Sequence, residues 1–321
     1  MAYSSRASGY GRARRRPIRG SFRRRTRYKT SRRARVVRRR PRTMTRRRIL
    51  NVTSEKKRDK MLASSQDKPD PTTAVYGLGG LSLQLDSDPV VPRFAATLWN
   101  ATARTNSKPG GAGNKFDLGT RTSTNVYLRG LHEKFEIRST NGEAFMYRRI
   151  LFHMKGDSLN QPSPLASPSL VDLYRYQDAT GYTRHSTFVA GPTIDANNAP
   201  YFNSLLGLIF QGSGGVDWNQ ISVAKLDTNR ITPVYDKTFT LQSRNDYGFI
   251  QRKTFWHPVN KTLVYNDEES GATVTPGVYS TTGRAGCGDL YVLDMVFAST
   301  AAEAGSQISF VPESTLYWHE R

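Results

Sequence analysis

Among the first 48 residues, 21 are Lys or Arg and none is Asp or Glu. A stretch of this kind cannot fold by itself: each added guanidinium raises self-repulsion, and few apolar side chains are present to offset chain entropy. Counting on to residue 60 gives 25 basic residues against Glu55 and Asp59, a net of +23. Residues 61–321 hold 23 basic and 24 acidic residues, a net of −1. The expected organisation is a disordered arm over 1–48, a link over 49–73 with a short helix at Glu55–Leu62 capped by Thr53 or Ser54, and one folded domain over 74–321. Without the arm about 260 residues are left, within the range of one large all-β domain.

The arm calls for a polyanion. In residues 1–60 Arg outnumbers Lys by 21 to 4, and guanidinium presents phosphate with a planar fork of donors rather than a point charge. The candidate nucleic-acid ligands are Arg12, Arg14, Arg15, Arg16, Arg19, Arg23, Arg24, Arg25, Arg27, Lys29, Arg32, Arg33, Arg35, Arg38, Arg39, Arg40, Arg42, Arg46, Arg47 and Arg48. Phosphate contacts carry no base information, so binding should be nearly independent of sequence and should weaken steeply with salt. Tyr3, Tyr10, Phe22 and Tyr28 lie between the Arg clusters; they either stack on unpaired bases or serve as spacers without a fixed partner. The same clusters suit a nuclear import signal read by host import receptors. Extended along a polyanion, the arm could reach about 160 Å.

Other function classes find little support. A single cysteine, Cys287, rules out an intramolecular disulfide framework and points to a reducing compartment. No run approaches the roughly 18 apolar residues of a membrane span, and no apolar stretch follows the basic N-terminus as in an export signal, so neither membrane insertion nor export is expected. The three Asn-x-Thr triplets at Asn51, Asn100 and Asn260 read as chance matches. His132, His153, His185, His257 and His319 lack the short spacings of a metal site. Gly110–Phe116 is Gly-rich, but its Lys is misplaced for a phosphate loop. Asp267-Glu268-Glu269 is better read as a solvated turn than as a cation site, with ion pairs to a neighbouring subunit as a further option. The expectation is therefore a non-enzymatic chain without cofactor or metal.

Beyond residue 74 the apolar period is two. Strands are expected at Leu81–Leu85, Arg93–Trp99, Asn125–Arg138, Ala144–Lys155, Ile221–Leu226, Val234–Gln242, Lys253–Val264, Gly288–Phe297 and Gln307–Pro312. Ala144–Lys155 is apolar on both faces with one Arg on each, so it should be covered twice. Long connections at Thr105–Gly113, Gly156–Pro168, Ala190–Pro200, Asn266–Pro276 and Ser280–Gly288, with short helices at Ser169–Tyr176 and Tyr201–Gln211, fit a single eight-stranded, two-sheet jelly roll.

Four segments sharpen that picture. Arg48–Met61 (RILNVTSEKKRDKM), Val234–Thr238 (VYDKT), Trp256–Tyr265 (WHPVNKTLVY) and Thr315–Glu320 (TLYWHE) resemble, in order and place, segments of genomovirus capsid proteins of the gemycircularvirus group. The resemblance runs from the arm to the last residues, and the loops depart from it most. It implies a jelly-roll shell protein enclosing a small circular single-stranded DNA, distantly similar to geminivirus and other small DNA-virus coat proteins, resident in the virion and in the host nucleus during infection. If about 60 copies close the shell, their basic segments bring roughly 1,400 positive charges inside, enough for a genome of one to a few thousand nucleotides. The alternative is a cellular nucleic-acid-binding protein with a basic tail and an all-β domain, which would usually carry basic residues on its body as well.

Overall fold

The structure, a computed structural model, describes residues 44–66, 76–84, 94–108, 111–155, 159, 173–190, 199–299 and 306–321. Helix α1 (Arg46–Thr53) leads into β1 (Glu55–Met61), β2 (Ala63–Gln66), β3 (Tyr76–Leu78), β4 (Leu81–Gln84) and β5 (Phe94–Asn100). A small hairpin of β6 (Ser107–Lys108) and β7 (Gly111–Ala112) precedes β8 (Asn125–Ser139), β9 (Phe145–Met154), β10 (Arg175–Gln177) and β11 (Gly181–Ala190). Helix α2 (Ala199–Ile209) is followed by β12 (Thr232–Leu241), β13 (Ile250–Val264), the hairpin β14 (Glu268–Ser270) and β15 (Thr273–Thr275), β16 (Asp289–Ala298) and β17 (Gln307–Glu320).

The strands form two main sheets. Sheet I has the order β1-β17-β8-β13, with β4 also on β17; sheet II has the order β12-β9-β16-β5-β11-β2-β3, with β10 on β11. The antiparallel pairs β4·β17, β5·β16, β8·β13 and β9·β12 nest inside one another along the chain, while β8 and β9, β12 and β13, and β16 and β17 each cross from one sheet to the other. That wrapping is a jelly roll, and the chain is all-β as its sequence period implies. The strand β11 is an addition on the far edge of β5, and β2 joins it in parallel.

The pattern of each sheet follows from its side chains. In β17 residues alternate strictly between buried and more exposed positions, so Ile308, Phe310, Leu316 and Trp318 point inward. In β9 nearly every residue is buried, because each face meets apolar cover. Phe145, Tyr147 and Leu151 face sheet I, while Ile150, Phe152 and Met154 join Tyr201, Leu205 and Ile209 in a second core beneath α2. Sheet II is thus a filled middle layer, and the expectation that this strand is covered twice holds. On its α2 side, Arg148 pairs with Asp236 at 2.8 Å and donates to the Ile221 and Ala224 carbonyls at 2.7 and 2.8 Å.

Several expectations need correction. Glu55–Leu62 is not a helix: Glu55–Met61 is strand β1, because its inward positions are Lys57, Asp59 and Met61, each with a partner inside the sandwich. A polar strand of this kind has no apolar period to read. The helix lies earlier, at Arg46–Thr53, where the Thr53 hydroxyl donates to the Ile49 carbonyl at 3.0 Å instead of capping a following helix. The proposed link over 49–73 therefore contributes paired strands to both sheets. Ile221–Leu226 forms turns and one isolated bridge, Phe210 to Leu226, since Arg148 holds its carbonyls. Of Ser169–Tyr176, residues 169–172 lie outside the described set and the rest runs into β10, whereas α2 matches the helix expected at Tyr201–Gln211. Strand β11 was not anticipated: its centre, Thr183 to Thr187, is polar yet buried.

Candidate nucleic-acid interface and its anchorage

Of the residues expected to hold nucleic acid, Arg12 to Arg42 lie outside the described residues. Arg46, Arg47 and Arg48 open α1, and Arg48 is exposed. The Ser54 N–H donates to the Leu50 carbonyl at 3.1 Å, closing the helix, and the Ser54 hydroxyl lies 3.5 Å from His319 Nδ1 at the end of β17. Helix α1 thus runs directly into β1, an edge strand of sheet I. Residues 1–45 hold 18 basic residues and no acidic one, so 46–321 hold 30 against 26.

Strand β1 is fastened from within. Lys57 Nζ lies 3.3 Å from Glu320 and donates to the Thr120 carbonyl at 2.9 Å; both side chains are almost fully buried. Glu320 also accepts from the Thr122 N–H at 3.0 Å and from Trp318 Nε1 at 2.6 Å, so each carboxylate oxygen has a donor that offsets part of the ion pair's desolvation cost. Two residues on, Asp59 meets Arg104 at 3.3 Å, and that guanidinium lies 4.8 Å from the Trp318 ring and 5.2 Å from the Tyr182 ring. Burial raises the Asp59 pKa, and the facing Arg104 opposes the shift.

The neighbouring loops are held by the same chemistry. Arg121, fully buried, forks onto both oxygens of Asp267 at 2.8 and 2.6 Å, donates to the Gly277 carbonyl at 2.7 Å, and lies 4.0 Å from the Tyr265 ring. The reading of Asp267-Glu268-Glu269 as a solvated turn is therefore corrected at Asp267, an internal partner of Arg121. Glu268 and Glu269 are exposed on β14.

A third cluster bridges the two sheets. Glu133 on β8 pairs with Arg149 on β9, which meets Asp294 on β16 at 3.1 Å; Arg184 on β11 completes the ring by pairing with Asp294 and lying 3.5 Å from Glu133. The Tyr147 hydroxyl donates to Asp294 at 2.7 Å and the Ser314 hydroxyl to Glu133 at 2.8 Å. Phe135, Phe255 and Trp99 lie around the two guanidinium groups. Burial pushes the Arg149 pKa down to about 10, with Asp294 opposing that fall. At Asp294 burial works upward, but Arg149 and Arg184 outweigh it and hold the carboxyl below its ordinary value. Two adjacent arginines in an apolar strand were a visible signal; their partners, each on a distant segment, were not.

Among the described residues His153, His185 and His257 are buried and Cys287 is half-buried. No group of three His, Cys, Asp or Glu side chains there is arranged to hold a metal. Burial is the main force lowering the pKa of His153 to about 4 and of His185 and His257 to about 3, and it raises the Cys287 thiol to about 11. These histidines are neutral when folded and would each take a proton when unfolded below pH 6.5. Their stabilising effect is thus present above pH 6.5 and lost as the pH falls toward 4 and 3. Asp59 and Asp289, both raised by burial, act in the opposite sense from the carboxylate range upward. The melting temperature, followed by circular dichroism from pH 7 to pH 4, should fall steadily; a flat profile would contradict the burial of neutral histidines.

No known family profile matches the chain, and no characterised protein matches it in sequence. Among solved structures, VP1 of Trichodysplasia spinulosa-associated polyomavirus aligns over 84% of this chain and 79% of its own, at 9% identity. The TM-score of 0.10 is too low for that likeness to bear on fold or function.

Proposed function

We propose that this chain is a viral shell protein of the genomovirus kind, which self-assembles into a small icosahedral capsid and packages circular single-stranded DNA through its basic arm. The observation that carries the reading is the direct joining of a jelly-roll body to a segment with 18 cations and no carboxylate. A jelly roll of this form offers sheet edges and long loops for contact with other copies, and closed symmetric assemblies arise from repeated contacts of one kind. With about 60 copies, residues 1–45 alone would bring roughly 1,100 positive charges to one enclosed genome. The chain's role is structural rather than enzymatic. Its arm also serves nuclear import through host receptors, which places the protein in the host nucleus before the virion forms.

Negative-stain microscopy of the full chain expressed alone tests this. Uniform closed particles are expected. Soluble monomers or dimers that bind DNA without closing would instead favour a cellular nucleic-acid-binding protein.

A further inference from the structure

The two sheets differ in what covers their outer faces. Sheet II carries α2 and the segment after it, whereas the outward residues of sheet I are exposed or half-exposed. That open face is not neutral. Lys56, Arg58 and Lys60 of β1 all point outward and are exposed, and Lys134 of β8 lies on the same face; none of the four is ion-paired among the described residues. Seven cations stand on the face in all, against Glu136 and Glu313. Glu136 is bound by Arg138 and Arg252, and Glu313 lies opposite Lys134.

Aromatic rings stand among these charges. Tyr317 pairs in register with Arg58 on one side and Gly130 on the other. Gly130 leaves a gap that the Trp256 ring fills: a Cβ there would come within 2.9 Å of the indole and 2.5 Å of the His257 carbonyl. Trp256 and Tyr317 consequently meet across β8, with ring centroids 5.8 Å apart and planes inclined at 67°. Trp256 remains 50% exposed, whereas Trp99 and Trp318 are 1% exposed. One row away, Tyr127 and His319 have centroids 6.3 Å apart, beside Lys56. Burial, then Arg129 and Lys56, lower the His319 pKa, so its ring is uncharged at neutral pH.

Neighbouring exposed aromatics mark a contact site, and the surrounding charge selects the partner's sign. A second copy of the same face is disfavoured by like charge. Alternate residues of β1 place its three cations about 6.7 Å apart in a line, a repeat of the order of successive phosphates in an extended strand. Rings on a flat sheet can stack on bases only when those bases are unpaired. We infer that the outer face of sheet I is a second binding surface for single-stranded nucleic acid, with Lys56, Arg58 and Lys60 holding phosphates and Trp256 and Tyr317 stacking bases. The inference rests on the proposed packaging role and adds to it: the strand touches the shell itself as well as the arm.

The test is photo-cross-linking of the full chain to oligothymidylate carrying 5-bromodeoxyuridine, mapped by mass spectrometry. Cross-links are expected at Trp256 and Tyr317 as well as in the arm, and a duplex of equal length should leave the sheet positions unlabelled. The triple variant K56Q/R58Q/K60Q should lose the Trp256 cross-link, keep those in the arm, and lower the salt slope of binding by about 2, from three lost phosphate contacts. As an independent reading, oligothymidylate should quench tryptophan fluorescence in the native chain and not in Trp256→Phe. Cross-links confined to the arm would overturn the inference and leave the packaging role standing. Equal labelling by duplex would overturn its single-strand preference, and absence of any DNA binding would overturn both readings.

Discussion

A chain lacking residues 1–45 should keep its two-sheet body and lose about tenfold or more of the nuclease-protected DNA recovered with the full chain. The body folds without the arm because its cores are drawn from strands that begin at β1, and the compact unit starts at Arg46. The arm contributes 18 charges and no carboxylate. If only about ten of these engage phosphate, log K falls by roughly 7 for each tenfold rise in salt. Truncation should remove that contribution and leave a slope of about 3, from the few exposed cations of sheet I. Far-UV circular dichroism and a salt titration measure the two halves of the prediction. A truncated chain that loses its β signal, or one that protects DNA as well as the full chain, would contradict the division between body and arm.

Replacing Arg149 with Ala should destabilise the body by about 3–5 kcal/mol, because removing one partner of a buried ion pair leaves the other uncompensated. Here two carboxylates, Glu133 and Asp294, would be left to Arg184 alone in a pocket lined by Phe135, Phe255 and Trp99. A loss of that size is a large part of the about 5–15 kcal/mol that holds a typical domain folded. Arg149→Lys should recover only a fraction, since an ammonium cannot fork between both acids. Urea unfolding of the body measures the change. A loss under about 1 kcal/mol would mean that water reaches the ring and screens it.

The strands that the sequence made legible share one property: their apolar period is carried by their own residues. Leu81–Gln84, Phe94–Asn100, Asn125–Ser139, Phe145–Met154, Thr232–Leu241, Ile250–Val264, Asp289–Ala298 and the start of Gln307–Glu320 all lie within a few residues of expectation. Strand β1 escaped because Lys57 and Asp59 face inward to Glu320 and Arg104, residues far away in the chain. Strand β11 escaped because Arg184 and His185 are buried among partners that no local pattern reveals. The reading of Ile221–Leu226 as a strand failed for the converse reason: Ile221, Ala224 and Leu226 pack into the core beside α2 without a ladder, and Val223 is exposed. Charge was legible in total but not in placement. Residues 46–321 hold 30 basic residues against 26 acidic ones, yet the fold gathers cations and rings on one open face, because register across β1, β17, β8 and β13 is a property of pairing and not of any segment alone.

Nuclease challenge of the purified full-length chain, at low salt and again near molar salt, bears on the whole account. A closed shell holding DNA through phosphate contacts predicts single-stranded nucleic acid that survives digestion at low salt and becomes accessible as salt opens the particle. Nucleic acid that is digested equally at both salt concentrations, or protein that sediments as a monomer throughout, would contradict it.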